Sequence, residues 1–256
     1  RPVGVDEPDL LQMTMTPSLT ARFSTGTALR LQTPAGFVRM SPEQGQTQTS
    51  FGLGDVGFEV QQALHSFWGP ARGALQFYVR GGMTAPTGRY GTDAALSVQA
   101  FNNTLDRITH TTQLSLGDGA WVSTAGFDAV MTVGARSFVG VQGTWREPLT
   151  ETPDGIRWGR DWYGRAAWTV ALLPNALALT GGFDAHRHEA NRALFDGVDE
   201  RFGDRTEIGT ELGIRLRSSA WSCGLSGHVP VWQRADGVQL VEVFSVRVDC
   251  GYSAIE

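Results

Sequence analysis

The sequence predicts an all-β fold: a closed antiparallel transmembrane β-barrel of about twelve strands, with short turns at one end and long loops at the other. Three observations carry this expectation. Residues alternate apolar and polar with a period of two along most of the 256-residue chain. The alternating segments have the length of tilted membrane strands, ~9–11 residues. Tryptophans gather near the segment ends, as interfacial aromatic residues do.

Residues 10–23 set the pattern. Met13, Met15, Leu19, Ala21 and Phe23 fall on one side, with Pro17 interrupting, and Gln12, Thr14, Thr16, Ser18, Thr20 and Arg22 on the other. Successive strand side chains point to opposite faces, so this segment reads as a strand with one apolar and one polar face. The same reading gives strands at 27–38, 53–65, 73–84, 119–133, 136–146, 159–172, 175–187, 206–217, 220–231 and 238–250. Connections at 24–26, 66–73, 134–136, 174–175 and 218–220 are short. Those at 40–52, 85–118, 148–158 and 189–205 are long, while 233–237 is the exception in length. Bacterial barrels place short turns in the periplasm and long loops outside. Eleven segments would leave the termini on opposite sides, whereas such barrels have even strand numbers, so a twelfth strand is sought in 1–9 or in 111–116.

Trp121, Trp145, Trp158, Trp162 and Trp232 lie toward the long loops, and Trp68, Trp221 and Tyr252 toward the short turns. The apolar register includes Leu75, Phe77, Val79, Leu177, Leu179, Phe183, Ile208, Leu212, Ile214, Leu216, Leu240, Phe244, Val246 and Val248. Glu242 breaks it near the loop end. The opposite register carries Arg22, Arg30, Arg80, Arg165, Arg215, Arg217 and Arg247, together with Glu59, Asp128, Asp161, Glu207, Glu211 and Asp249. A soluble lipocalin-like barrel would turn the apolar register inward; a membrane barrel inverts this, with a polar lumen. Strand lengths, aromatic belts and the charged register favour the inverted arrangement, which makes those thirteen residues lumen-lining. Seven arginines against six carboxylates give a nearly balanced lumen. Ions in such a lumen need partners. Paired with water between them they line a narrow pore; tightly knitted they close it.

Composition narrows the classes further. Hydrophobic residues make up 41%, and the longest nearly apolar stretch, 166–173, is far short of a ~20-residue transmembrane helix. A net charge of −5 gives no support for nucleic-acid binding. All 21 basic residues are arginine, which a GC-rich genome explains. Arg1 is not followed by an apolar segment, so an export signal is expected to have been removed or not included. A hairpin turning near 235–237 would set Cys223 opposite Cys250, and a cross-strand disulfide there fits an oxidising compartment such as the periplasm.

Other constellations carry less. Gly52–Leu53–Gly54–Asp55 resembles a phosphate loop only superficially, because a strand rather than a helix follows it. Asp184, His186 and His188 share one face of a strand end, with Glu207 expected opposite His186. Imidazoles and carboxylates can bind a divalent metal, but a polar rim explains them as well, and no metal is assigned. Ser226 and His228 share the lumen register, yet a hydrogen-bonded wall is the commoner reason for such a pair than an activated nucleophile. No catalytic residue and no cofactor is expected.

Three glycine-rich stretches complete the reading: Phe-Gly-Leu-Gly-Asp-Val-Gly-Phe at 51–58, Gly-Gly-Met-Thr-Ala-Pro-Thr-Gly at 81–88 and Leu-Gly-Asp-Gly-Ala-Trp at 116–121. Together they resemble the meta-pathway phenol-degradation transporter family, mainly over 51–135. The resemblance implies an outer-membrane barrel associated with uptake of small molecules, and identifies no binding residue. The expectation is a single barrel domain over 1–256, its N-terminal strand incomplete, acting as a passive outer-membrane channel. The alternative is a structural barrel anchoring a surface or trans-envelope complex. Expected partners are outer-membrane lipid and lipopolysaccharide, and other envelope proteins through loop 85–118 or the periplasmic turns.

Overall fold

A computed structural model describes residues 9–41, 48–64, 75–88, 118–133, 135–153, 155–173, 176–195, 198–218, 221–235 and 244–252. Its elements are all strands. Eleven of them form one sheet, in the order β17 (Ser245–Tyr252), β16 (Trp221–Ala235), β15 (Arg205–Arg217), β12 (Leu177–His188), β11 (Asp161–Leu173), β9 (Ser137–Pro148), β8 (Val122–Val133), β7 (Leu75–Ala85), β6 (Val56–Leu64), β3 (Thr27–Gln32) and β2 (Ser18–Arg22). Every neighbouring pair is antiparallel.

This differs from a closed ring of twelve. Among the described residues the sheet has eleven strands, and its edges, β2 and β17, are not paired with each other. Ten antiparallel steps leave those edges running in the same direction, so direct closure would be a parallel seam. Both segments considered for a twelfth strand, 1–9 and 111–116, lie outside the described residues except for Asp9.

The first three expected strands each divide. Residues 10–23 become β1 (Asp9–Met15) and β2, broken at Pro17. Residues 27–38 become β3 and β4 (Ala35–Ser41), broken at Thr33–Pro34, and 53–65 follows β5 (Gln48–Leu53) after a bend at Gly54–Asp55. Proline has no N–H for the ladder, which explains breaks at two of the three positions. The carbonyls of Pro17 and Pro34 still accept from Thr33 N at 3.2 Å and Gly54 N at 2.7 Å, so the seam is bonded. Beyond it the chain forms a separate sheet, β1-β4-β5, over part of the expected 40–52 loop. The long connections 148–158 and 189–205 also carry strands: β10 (Ile156–Arg157), β13 (Asn191–Phe195) and β14 (Val198–Phe202) make a third sheet. Ile156 and Ala193 are buried there, with Trp158 packed against them.

The two faces of the main sheet differ in the inverted sense. Leu212 is 61% exposed, Phe183 65% and Val246 61%, whereas Glu207 is only 5% exposed. Among the described residues the buried hydrophobics are Ala120, Val122, Ile156 and Ala193. That is far less than a soluble domain of this length buries. The apolar face carries aromatic residues at both ends. Trp145 and Trp162 pack with ring centroids 5.9 Å apart near the long loops, and Trp221 pairs with Tyr252 at the short turns. Trp68 lies outside the described residues, as do positions 238–243 of the last expected strand with Leu240 and Glu242; the described part of that strand is β17, which runs to Tyr252.

Cys223 and Cys250 are direct partners across β16 and β17, with Cα atoms 4.1 Å apart, and form a disulfide. They sit on the apolar register between Trp221/Tyr252 and Leu225/Val248. The bridge spans 27 positions of sequence, which in the chain-entropy account is worth about 3.5 kcal/mol. Replacing both cysteines with serine should lower the thermal unfolding midpoint in detergent, and reduction of the native protein should reproduce the shift. Identical midpoints would show that β17 is held without the bridge.

Candidate functional site

The polar face is concave. A cavity of about 270 Å³ is lined from Thr144 on β9, through Asp161 and Tyr163 on β11, to Ser226 and His228 on β16 and Ser245 on β17. Side chains from six neighbouring strands meet around it, and the charged residues of the polar face, at the cavity and beyond it, fall into ion-paired groups.

Glu59, Arg80 and Asp128 form the first group. Arg80 lies 3.5 Å from Glu59 Oε2 and 3.3 Å from Asp128 Oδ2, and donates to Thr144 Oγ1. Gln61 Nε2 donates to the same Asp128 oxygen at 3.4 Å. Gly126 stands opposite Arg80 in the ladder, and a Cβ there would lie 2.9 Å from Arg80 Nε. The guanidinium therefore crosses β8 where that strand has no side chain.

A second group occupies the long-loop end. Asp161 Oδ1 is 3.1 Å from His186 Nε2 and 2.8 Å from His188 Nδ1, and its Oδ2 is 3.5 Å from Arg146. His188 Nε2 lies 2.9 Å from Asn191 Oδ1, which also accepts from Gly159 N. Arg146 reaches Asp118 at 2.8 Å, and Trp158 Nε1 donates to the Asp118 carbonyl. Asp55, just before β6, accepts from the backbone N–H of Gly88 at 2.7 Å and of Asp118 at 2.6 Å. It thereby ties both flanks of segment 89–117. Burial pushes the Asp55 carboxyl upward, with the nearby Asp118 charge adding to it, and the backbone N–H groups of Gly88, Asp118 and Gly119 offset only part of that.

The third group sits deeper. Arg165 pairs with Glu211 at 2.7 Å across the intervening β12. Asp184, Glu207 and His228 bring donor atoms within 4.8 Å of one another. His228 Nε2 is 3.2 Å from Asp184 Oδ1, while Arg205 and Gln233 hold Glu207 Oε2. A β-bulge after Ile208 shifts β16 relative to β15, and the ring of His228 lies over Gly209, where a Cβ would come within 2.0 Å of Nε2. Two carboxylates and one imidazole are a donor set a divalent cation would take. One of those carboxylates, however, is already held by a guanidinium.

Several expected residues fall outside these groups. Arg30 reaches Ser18 Oγ at 3.4 Å, and Arg22 lies at the end of β2 opposite Ala28. Arg215 and Arg217 occupy the last turn-proximal positions of β15, opposite Gly224 and Ser222. Arg247 and Asp249 pair in backbone register with Ser226 and Gly224; their side chains lie outside the described residues. Glu207 stands opposite His186 in register, yet His186 turns to Asp161 rather than to Glu207. The same-face rule placed His228 beside Ser226 without showing its closeness to Asp184 two strands away. Arg146, Arg205, Gln61 and Gln233 were missed, although each shares a face with an expected carboxylate.

No protein-family model and no curated protein sequence matches the chain. Among solved structures, the crystal structure of the COG4313 outer membrane channel from Pseudomonas putida F1 matches with a TM-score of 0.70 at 14% identity. The match covers 95% of this chain and 83% of that one, so this chain has the fold of that protein.

Proposed function

We propose that this chain is a closed outer-membrane β-barrel whose polar face lines a lumen for passive passage of small polar solutes. The observation that carries the reading is the inversion of the two faces: large apolar side chains are exposed, while charged ones turn inward onto one another. In water that arrangement would leave a wide hydrophobic surface uncovered; in a bilayer it is the stable one. The fold shared with an outer membrane channel supports the reading, as do the glycine-rich stretches that resemble the meta-pathway transporter family. A twelfth strand between β2 and β17 would restore an antiparallel seam and close the ring. Outer-membrane lipid and lipopolysaccharide would then surround the apolar face, and loop 85–118 and the periplasmic turns would be free to meet other envelope proteins.

A second reading has its own support. Arg80, Arg146, Arg165 and Arg205 each meet a carboxylate, and a fully knitted wall would serve as a structural anchor. Single-channel recording in planar bilayers separates the two. The channel reading expects reproducible conductance steps that change in Arg165→Ala. A correctly folded protein that stays silent would replace the channel by the anchor.

A further inference from the structure

A second cavity, of about 250 Å³, lies at the long-loop end. Its wall is made by the small sheet β10-β13-β14, where register places Arg157 opposite Arg192 and Arg192 opposite Arg201. Directly opposed residues of an antiparallel ladder share a face, and like charges so placed repel. All three arginines are exposed and line the same cavity. None of them has a carboxylate partner among the described residues. A fourth, Arg160, also lines it but is held by Glu147 at 2.6 Å. With Glu189 as the other acid of the wall, four guanidinium groups face two carboxylates.

Its height on the barrel is informative. Glu147 is two residues beyond Trp145 on β9, and Arg160 two residues before Trp162 on the way into β11. Both therefore continue the apolar register of that tryptophan pair, one step toward the long loops. Interfacial tryptophans mark the boundary between hydrocarbon and headgroups. The arginine row lines the same cavity as this Glu147–Arg160 pair, which in a bilayer would set it near headgroup height.

We propose that Arg157, Arg192 and Arg201 form a binding site for the phosphate groups of an outer-leaflet lipopolysaccharide headgroup. A ligand with two phosphates would relieve the repulsion along the row, and arginine forks match phosphate oxygens in pairs. Neighbouring forks repeat at the strand spacing of about 4.8 Å, so one headgroup can engage two or three. The site rests on the outer-membrane reading but does not require that the lumen conduct.

Diphosphorylated lipid A is the probe, added to purified protein in zwitterionic detergent, with enzymatically dephosphorylated lipid A as comparator. The diphosphorylated form should raise the thermal midpoint of the native protein saturably, and the dephosphorylated form should not. Arg192→Ala should bind about tenfold more weakly. Its midpoint without lipid should be no lower than that of the native protein, because the substitution removes a like-charge contact. Equal shifts for native and Arg192→Ala protein would overturn the site. Inorganic pyrophosphate reproducing the full shift while lipid A has none would overturn the lipid in favour of a dissolved anion. Insertion into lipid-A-free phosphatidylcholine vesicles tests the membrane reading separately, and its failure would be a failure of that reading.

Discussion

Leu212→Arg should destabilise the protein in phosphatidylcholine bilayers by about 2–4 kcal/mol, the cost of a cationic side chain at the bilayer midplane. Leu212 is 61% exposed near the middle of β15, between Gly181 on β12 and Gly227 on β16. In water, replacing an exposed leucine with arginine changes stability by no more than about 0.5 kcal/mol. The same substitution thus has a large effect if the face meets hydrocarbon and almost none if it meets solvent. Ile208→Arg, four positions nearer the long loops, is the depth control and should cost about 0–1 kcal/mol. Urea titrations of vesicle-inserted protein, followed by tryptophan fluorescence, would read both. Two small, equal costs would remove the membrane assignment and with it the lumen.

The sheet from residue 75 onward was legible because each strand there alternates cleanly and is bounded by a short turn. The first three strands were legible only as alternating segments. Pro17 was visible as an interruption, but alternation continues through it, and nothing in the pattern shows that the chain beyond changes partners. The sheet β10-β13-β14 was hidden for a different reason. β10 is two residues long, and its register sets arginine against arginine, an arrangement that pairing rules would reject. The site was legible as a list of residues sharing one face and not as a set of contacts. Alternation says that Arg80 and Asp128 share a face. It does not say that Arg80 crosses β8 at Gly126, or that a bulge carries His228 over Gly209 toward Asp184. Those contacts depend on register between strands and on missing Cβ atoms.

Arg80→Ala is expected to produce the largest change on the polar face. The Arg80 side chain is 15% exposed, and the Glu59 and Asp128 side chains beside it 23% each. Removing the cation leaves two carboxylates with their mutual repulsion and their desolvation uncompensated. For a buried pair that loses one partner the cost is about 3–5 kcal/mol. Water in a lumen would lower it, so about 3 kcal/mol is expected here. Adding Glu59→Gln and Asp128→Asn should recover most of the loss, since a neutral amide beside an empty site carries no charge to desolvate. The group carries one cation and two carboxylates, so the reversal potential in a salt gradient should shift toward cation preference in Arg80→Ala and, in the uncharged triple variant, pass beyond the native value toward anion preference. The size of the stability change also bears on the choice between channel and anchor. A cost near 3 kcal/mol with no conductance in either protein would mean a wall knitted shut. A cost below about 0.5 kcal/mol would mean that water already solvates all three ions, which only an open lumen allows.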